Sequence, residues 1–409
     1  MTIHAQYCFQ MDKDILESVL KRNCGETSLE KVISVENVPA VGKNISFLST
    51  VSRLNMKVLL RDGKVVNKSL IIKLFTESNE VQSEFYRKYN TFKTEILMYD
   101  TLSKIEYLME EFEDGEDVLW CKMVHHIPYS CVVLEDLKAK GFHMIEIDQF
   151  FDLDHVLLAV HSLGRFHGMC KTHQVRGIIP QEFKSWYLFK RERMHNYLCW
   201  DLIGLTEGVK RLWDPSWTPI VEKIKITRTE VYERFKKFSE LDETKFNVIN
   251  HGDCHKNNIL IKYGWDKRPI AMRFVDFQLV YYGSPCVDLT YMLYMAVDPF
   301  VRRENFDLIL KTYHNSLVNT LDKYNFQGNK PDLEEIKDGM EKFSFMGLIL
   351  FLAWHPKLLK LEKLEELRDV EKIAATEGKE GYADELFYPE ILEKNIGPDI
   401  IAFLNRFFS

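Results

Sequence analysis

The feature that most constrains this chain is a polar loop that opens directly into a hairpin. Phe246–Ile249 reads as a short apolar strand leading into His251-Gly252-Asp253-Cys254-His255-Lys256-Asn257-Asn258. Ile259–Tyr263 then reads as a strand, Gly264–Pro269 is turn-rich, and Ile270–Val275 runs back to Asp276 and Phe277. With the turn centred on Lys267, positions 258 and 276 are equidistant from it, which predicts Asn258 and Asp276 side by side at the open end. An amide oxygen and a carboxylate meeting there suit Mg²⁺, a hard cation that prefers oxygen ligands. A single Asp or Asn in such a stretch is more simply a turn cap, but the whole set at this spacing is harder to dismiss.

Around this hairpin, 409 residues are too many for one simple core and suggest two unequal lobes with a ligand cleft between them. Hydrophobic residues at 46% and aromatic residues at 13% describe an ordered globular protein. A net charge of -7 argues against an extended nucleic-acid or anionic-membrane surface, which would need a basic face. Met1–Gln10 lacks the basic-then-apolar order of a secretion signal. The most apolar run, Phe343–Trp354, is far short of the roughly 20 residues needed to cross a bilayer and predicts a buried helix. A cytoplasmic monomer with no membrane or nucleic-acid partner is therefore expected. The eight cysteines never form a Cys-x-x-Cys pair, so free thiols are expected rather than a zinc knuckle or redox motif.

Ile45–Phe75 is rich in β-branched and apolar residues with polar breaks at Arg61-Asp62-Gly63 and Asn67-Lys68, which predicts a small antiparallel sheet. A helix-favouring segment, Asn79–Leu102, precedes a second β-like run, Cys131–Leu134, that ends in Glu135-Asp136. The lobes are accordingly divided into residues 1–136 and 137–409. In the larger lobe, helix-spaced apolar residues predict helices over Phe151–Cys170, Ser185–Leu205, Pro219–Phe238, Phe306–Tyr324 and Leu333–Lys360. The fold class is thus α+β.

Two charges in the first lobe need partners. Strand alternation in Ser69–Phe75 puts Leu70, Ile72 and Leu74 on one face and Lys73 on the other, beside Ile71 and Phe75. On the following helix, Phe92, Glu95, Ile96, Tyr99 and Leu102 form one stripe in which Glu95 is the only charge. A Lys73–Glu95 ion pair satisfies both groups, whereas an isolated Lys would snorkel to solvent.

The run HGDCHKNNIL followed by VDFQ resembles the loop of aminoglycoside phosphotransferases and choline kinases, a branch of the protein-kinase-like fold. Within that branch the chain is most similar to the ecdysteroid-kinase-like proteins. That similarity is carried by the Asp276-Phe277-Gln278 form of the second motif, by Tyr281-Tyr282-Gly283-Ser284-Pro285 with Asp288-Leu289, and by Phe92-x-x-Glu95-x-x-x-Tyr99. The resemblance implies a bilobal fold and transfer of the γ-phosphoryl group of ATP to the hydroxyl of a small molecule, such as an ecdysteroid or similar apolar alcohol. It implies Asp253 as catalytic base, Asn258 and Asp276 as Mg²⁺ ligands, His255 near the phosphates, and Lys73 aimed at the phosphates by Glu95. It also places Gly42 and Ser46 over the phosphates, with a plain turn as the alternative reading of a single glycine. Adenine is assigned by position alone to the segment joining the lobes, Leu134-Glu135-Asp136-Leu137.

A rival reading makes His251, Asp253 and His255 a hydrolase metal site with His161 and His167. Those last two are six residues apart and do not share a helix face, so His167 is expected to be a satisfied interior histidine. Asp288 is expected to cap the helix that follows and to brace the catalytic loop. Trp186, Tyr187, Phe189, Tyr197 and Trp200 are expected to be core, with an apolar acceptor pocket as the alternative.

Overall fold

The structure, a computed structural model, describes residues 11–40, 50–74, 90–146, 148–177, 179–184 and 192–408. They divide into two compact units, one within Met1–Lys88 and Cys121–Lys140, the other within Tyr89–Trp120 and Gly141–Ser409. The expected division after residue 136 lies close to the end of the smaller unit, while residues 89–120 group with the larger one.

In the smaller unit, helix α1 (Lys13–Asn23) starts where the Asp12 carboxylate accepts a hydrogen bond from Asp14 N and ends on Lys21 and Arg22, charges suited to its two ends. Five antiparallel strands follow in the order β1-β2-β3-β5-β4: β1 (Leu29–Pro39), β2 (Thr50–Leu60), β3 (Val65–Leu74), β4 (Met123–Ile127) and β5 (Cys131–Glu135). The core sits between α1 and one sheet face, where Leu16, Val19 and Leu20 join Leu54, Met56, Val58, Leu70, Ile72 and Leu74. Each such aliphatic side chain contributes on the order of 1.5–3 kcal/mol on burial. The turn at Arg61-Asp62-Gly63 is present, with Gly63 at φ +83°. The break expected at Asn67-Lys68 is absent, because both residues lie inside β3 and pair with Lys57 and Met56. Asn67 points to the sheet's other face, whereas Lys68 shares the face of Leu70 and Ile72 and pairs with Glu26.

Two strands were not legible as such. In β1 the apolar residues Leu29, Val32, Val35 and Val38 recur every three positions, a helical spacing, because register shifts between Leu29/Lys31 and Val32/Ser34 break the alternation. The short β4 contains His125 and His126 where apolar alternation would be looked for.

The larger unit opens with helix α2 (Thr91–Glu111), whose buried face carries Phe92, Glu95, Tyr99 and Leu102. After the short β6 (Phe142–His143), the helices of ten or more residues are α3 (Leu153–Val175), α4 (Glu192–Leu212), α5 (Arg228–Phe238), α6 (Cys286–Met295), α7 (Phe306–Lys323), α8 (Leu333–Lys342), α9 (Ser344–Leu358) and α10 (Pro389–Phe407). Helices α3 and α7 lie close because Gly164 has no side chain; a Cβ there would sit 2.7 Å from the Tyr313 carbonyl. The apolar run from Phe343 is indeed a buried helix, α9. No helix among the described residues is long and apolar enough to cross a membrane, and the described cysteines are all free.

Two predicted helices are each broken. Pro219–Phe238 splits into Thr218–Val221 and α5, which restarts where Thr227 caps Glu230 N. Leu333–Lys360 splits at Phe343 between α8, begun by the Asp332/Glu335 capping box, and α9. Both splits keep helical periodicity on either side, so period alone does not reveal them.

The segment after α2 is pinned by Asp114, whose side chain is 1% exposed and receives Lys323, the Tyr324 hydroxyl at 2.6 Å and Arg165 at 3.4 Å. Burial opposes ionisation, but the bonds from Lys323 and Tyr324 and the charge of Arg165 outweigh it and hold the carboxyl below its usual value. A depressed folded value means the stabilisation is present above the unfolded value of about 3.9 and lost as pH falls through the lower folded one. Asp114→Ala is therefore expected to lower stability by about 3 kcal/mol at pH 7 in urea denaturation, with the deficit shrinking below about pH 4.

Candidate active site

Strand β7 (Val248–Asn250) pairs antiparallel with β10 (Tyr281–Gly283), a partner that sequence reasoning missed, and delivers the chain to His251. The next residue must be glycine: Gly252 has φ +82°, and a Cβ there would lie 2.0 Å from the Leu279 carbonyl. The loop then passes Asp253 and closes in a 3₁₀ turn, Lys256–Asn258, where His255 Nδ1 accepts from Asn257 N at 3.2 Å. Asn258 opens the hairpin of β8 (Ile259–Tyr263) and β9 (Pro269–Phe274).

The hairpin is as expected in kind but not in register. Ile259 pairs with Phe274, and Val275 N donates to Asn258 O at 3.0 Å, so the residue opposite Asn258 is Val275 rather than Asp276. The irregularity between Lys262 and Tyr263 near the turn displaces the axis of symmetry from Lys267. Asp276 follows immediately and leaves the strand in the left-handed region, at φ +68°, a conformation that Asp tolerates better than most side chains. Gln278 Nε2 donates to its Oδ2 at 3.4 Å. Phe277 anchors this turn in the interior, with ring centroids 4.9 Å from His251, 5.5 Å from Tyr99 and 6.1 Å from Phe166.

The loop converges on the carboxylate of Asp253. Asn258 Nδ2 donates to Asp253 Oδ2 at 3.1 Å and to its backbone carbonyl at 3.0 Å, and His255 Nε2 is 3.4 Å from the same Oδ2. Tyr291 acts electrostatically on the same carboxylate. Burial works to raise the Asp253 carboxyl, yet His255 first, and then Tyr291, hold it below the usual range. For His255 the balance is reversed: burial opposes the cation, but Asp253 and then Asp276 raise it above its ordinary value. The outcome is an ionised carboxylate facing Nε2 of His255, whose Nδ1 is occupied as an acceptor from Asn257 N.

Behind the loop, the fully buried Asp288 in the first turn of α6 accepts from His251 N at 2.6 Å and Gly252 N at 2.8 Å. The same carboxylate takes His167 Nε2 at 3.2 Å and the Cys254 thiol. Asp288 is therefore the brace expected, though not the cap, since Pro285 occupies the cap position. Tyr291, one turn further along α6, was missed; its spacing of three from Asp288 was the signal that both face the loop.

The remaining candidates divide as follows. Lys73 and Glu95 are buried, 5% and 1% exposed, each within its own unit. Glu135 accepts from Lys122 N at 2.9 Å and pairs with Lys140, and Leu137 is buried at the start of a 3₁₀ turn. Gly42 and Ser46 lie outside the described residues, as do Phe75, Trp186, Tyr187 and Phe189. Tyr197 and Trp200 meet edge to face at 5.6 Å. His167 is a satisfied interior histidine, bonded to the Tyr313 hydroxyl at 2.8 Å and to Asp288. Among the described residues no group of three or more His, Cys, Asp or Glu side chains is placed to hold a metal ion, so the histidine-rich rival site does not form there.

Replacing Asp288 by Asn would turn an N–H donor toward two backbone N–H groups or leave one unmatched. Asp288→Asn is expected to destabilise the fold by about 3 kcal/mol in denaturant unfolding and to lower kcat more than KM for the nucleotide.

Residues 43–326, more than half of the chain, match the model of the ecdysteroid kinase-like family. No curated protein matches the chain. Among solved structures, a microcompartment-associated aminopropanol kinase is 13% identical, covering 90% of this chain and 99% of that one with a TM-score of 0.41. A macrolide 2′-phosphotransferase from Brachybacterium faecium is 12% identical over 87% and 97%, with a TM-score of 0.35. An ethanolamine kinase from Plasmodium vivax is 13% identical over 86% and 80%, with a TM-score of 0.37. These likenesses are distant, and the assignment rests on the family model. The chain belongs to the ecdysteroid kinase-like family and is a nucleotide-binding small-molecule kinase with an alcohol as acceptor.

Proposed function

We propose that the protein transfers the γ-phosphoryl group of ATP, with Mg²⁺, to a hydroxyl of an apolar polyhydroxylated acceptor of the ecdysteroid kind. The acceptor class follows the family description and the chain's aromatic share of 13%. The observation that carries the reading is the pair of groups gathered on Asp253: Asn258 Nδ2 and His255 Nε2. They orient the carboxylate and keep it ionised, so it accepts a hydrogen bond from the acceptor hydroxyl and takes its proton as the bond to phosphorus forms. With its carboxyl held low, Asp253 acts late, as an orienting group more than as a strong base.

The residues suit Mg²⁺. The Asn258 nitrogen is committed to Asp253, which leaves Oδ1 as the other end of the amide, and Asp276, one residue past the Val275 that faces Asn258, supplies a carboxylate, an all-oxygen donor set. When bound, the ion neutralises charge on the phosphate oxygens. His255 stands near the same phosphates, with its Nε2 engaged by Asp253 and its Nδ1 by Asn257 N. Family resemblance alone assigns Lys73 with Glu95, and Gly42 with Ser46, to the phosphates, and Glu135 and Leu137 to adenine.

The test is ATP turnover by the purified protein against steroid, amino-alcohol and aminoglycoside acceptors. Turnover is expected with the steroids, and Asp253→Ala is expected to lower kcat by about 10³-fold or more. Turnover unaffected by that change sinks Asp253 as base, and turnover with amino-alcohols alone sinks the apolar acceptor.

A further inference from the structure

We infer that Lys256 is a positioning residue, whose buried ammonium ties the turn carrying Asn258 to the segment Gln149–Phe151 and through it to the C-terminal end of α6. Lys256 is 1% exposed, although it lies between His255 and Asn257 in a polar loop where a lysine would ordinarily reach solvent. Its Nζ donates to the Gln149 carbonyl at 2.5 Å and lies 4.4 Å from the centre of the Phe150 ring. A carbonyl and a ring face together offset the desolvation of an ammonium. The same ring meets His355 of α9 at 5.0 Å. Burial, and then Arg302, Lys256 and Arg303, hold His355 down at about 3, so it brings no second charge to the ring.

What Lys256 holds on to is itself fixed. Phe151 N donates to the Ala296 carbonyl at 2.8 Å, and Asp298 N donates to the Phe151 carbonyl at 3.0 Å. Ala296 is the residue that ends α6. One helix therefore restrains the loop twice: Asp288 in its first turn takes the N–H groups of His251 and Gly252, and the strap at its last turn takes Lys256. Asp253 and His255 lie between the two restraints. Asn258 Nδ2 and His255 Nε2 both reach Asp253 Oδ2 from this turn, so slack at Lys256 displaces both donors.

The restraint on the loop stands on these contacts alone, while its consequence for the reaction rests on the function proposed above. Amide hydrogen exchange in the full chain reads the restraint directly. Lys256→Met is expected to speed exchange across His255–Asn258 by about tenfold with α3 unchanged, and Lys256→Arg to recover most of the protection. In parallel, Lys256→Met is expected to weaken Mn²⁺·ADP binding about tenfold and to lower kcat while leaving KM for the acceptor unchanged. Exchange equal to wild type in Lys256→Met overturns the restraint whatever turnover does. Faster exchange with Mn²⁺·ADP binding untouched overturns the positioning of Asn258. A wild-type chain that binds no Mn²⁺·ADP refutes Asn258 and Asp276 as ligands, and exchange still decides the restraint. If Lys256→Met does not fold, Phe150→Leu keeps the lysine and removes the ring; a smaller rise at the same amides supports the tie, and no rise overturns it.

Discussion

Two adjacent backbone N–H groups, those of His251 and Gly252, point into the buried carboxylate of Asp288, and the geometry of the loop depends on that contact. Successive amides converge on one carboxylate only if the chain turns sharply between them, and Gly252 at φ +82°, pressed against the Leu279 carbonyl, supplies the turn. The charge is not left alone in the interior, because His167 and the Cys254 thiol add two further donors. Once His251 and Gly252 are fixed, Asp253 can only leave the loop in one direction, toward the turn that brings His255 and Asn258 back to it.

The same logic explains which side chains around the loop are inert. Cys254 adjoins the proposed base, yet burial first, and then Asp288 and Asp253, push its thiol well up, so it stays protonated and serves as a donor. His251 is drawn below its ordinary value by burial despite the nearby carboxylates. Its Nε2 bonds the Val275 carbonyl at 3.0 Å and its Nδ1 receives Asp253 N, so one neutral tautomer joins the loop to the returning strand. Histidines at this spacing suggested metal ligands; the hydrogen bonds show that His251 joins two backbone segments and His167 joins the Tyr313 hydroxyl to Asp288.

Legibility from sequence followed the locality of the cause. The strand alternation around Lys73 and the buried run in α9 were readable because one element's own pattern encodes them. The breaks at Phe343 and before Thr227 were not, because helical periodicity continues across them. Strand β1 was hidden by irregular pairing with β2, which no single segment records. In the site, the clustering of Asp253, His255 and Asn258 lies within one short stretch, whereas the influence of Tyr291 on Asp253 and the burial of Lys256 depend on α6 and on Gln149–Phe150, which are remote in sequence. Buried polar groups whose partners are distant leave no local trace.

The hairpin shows how far symmetry can be trusted. Side chains alternate along a strand, so an offset of one residue would turn Asp276 to the face opposite the one that simple pairing with Asn258 assumed. The chain avoids this by ending the strand at Phe274: Val275 N donates the last ladder bond to the Asn258 carbonyl, and Asp276 enters a left-handed conformation no longer bound by alternation. The adjacent Phe277 supplies the anchor, buried among His251, Tyr99 and Phe166, without which a strained non-glycine residue would relax. The direction of the Asp276 carboxylate is thus set less by the hairpin than by the aromatic cluster behind it, which includes Tyr99 of α2, one turn along from Glu95. A change in the packing of Phe277 would reach both Asp276, its chain neighbour, and His251, whose ring it touches.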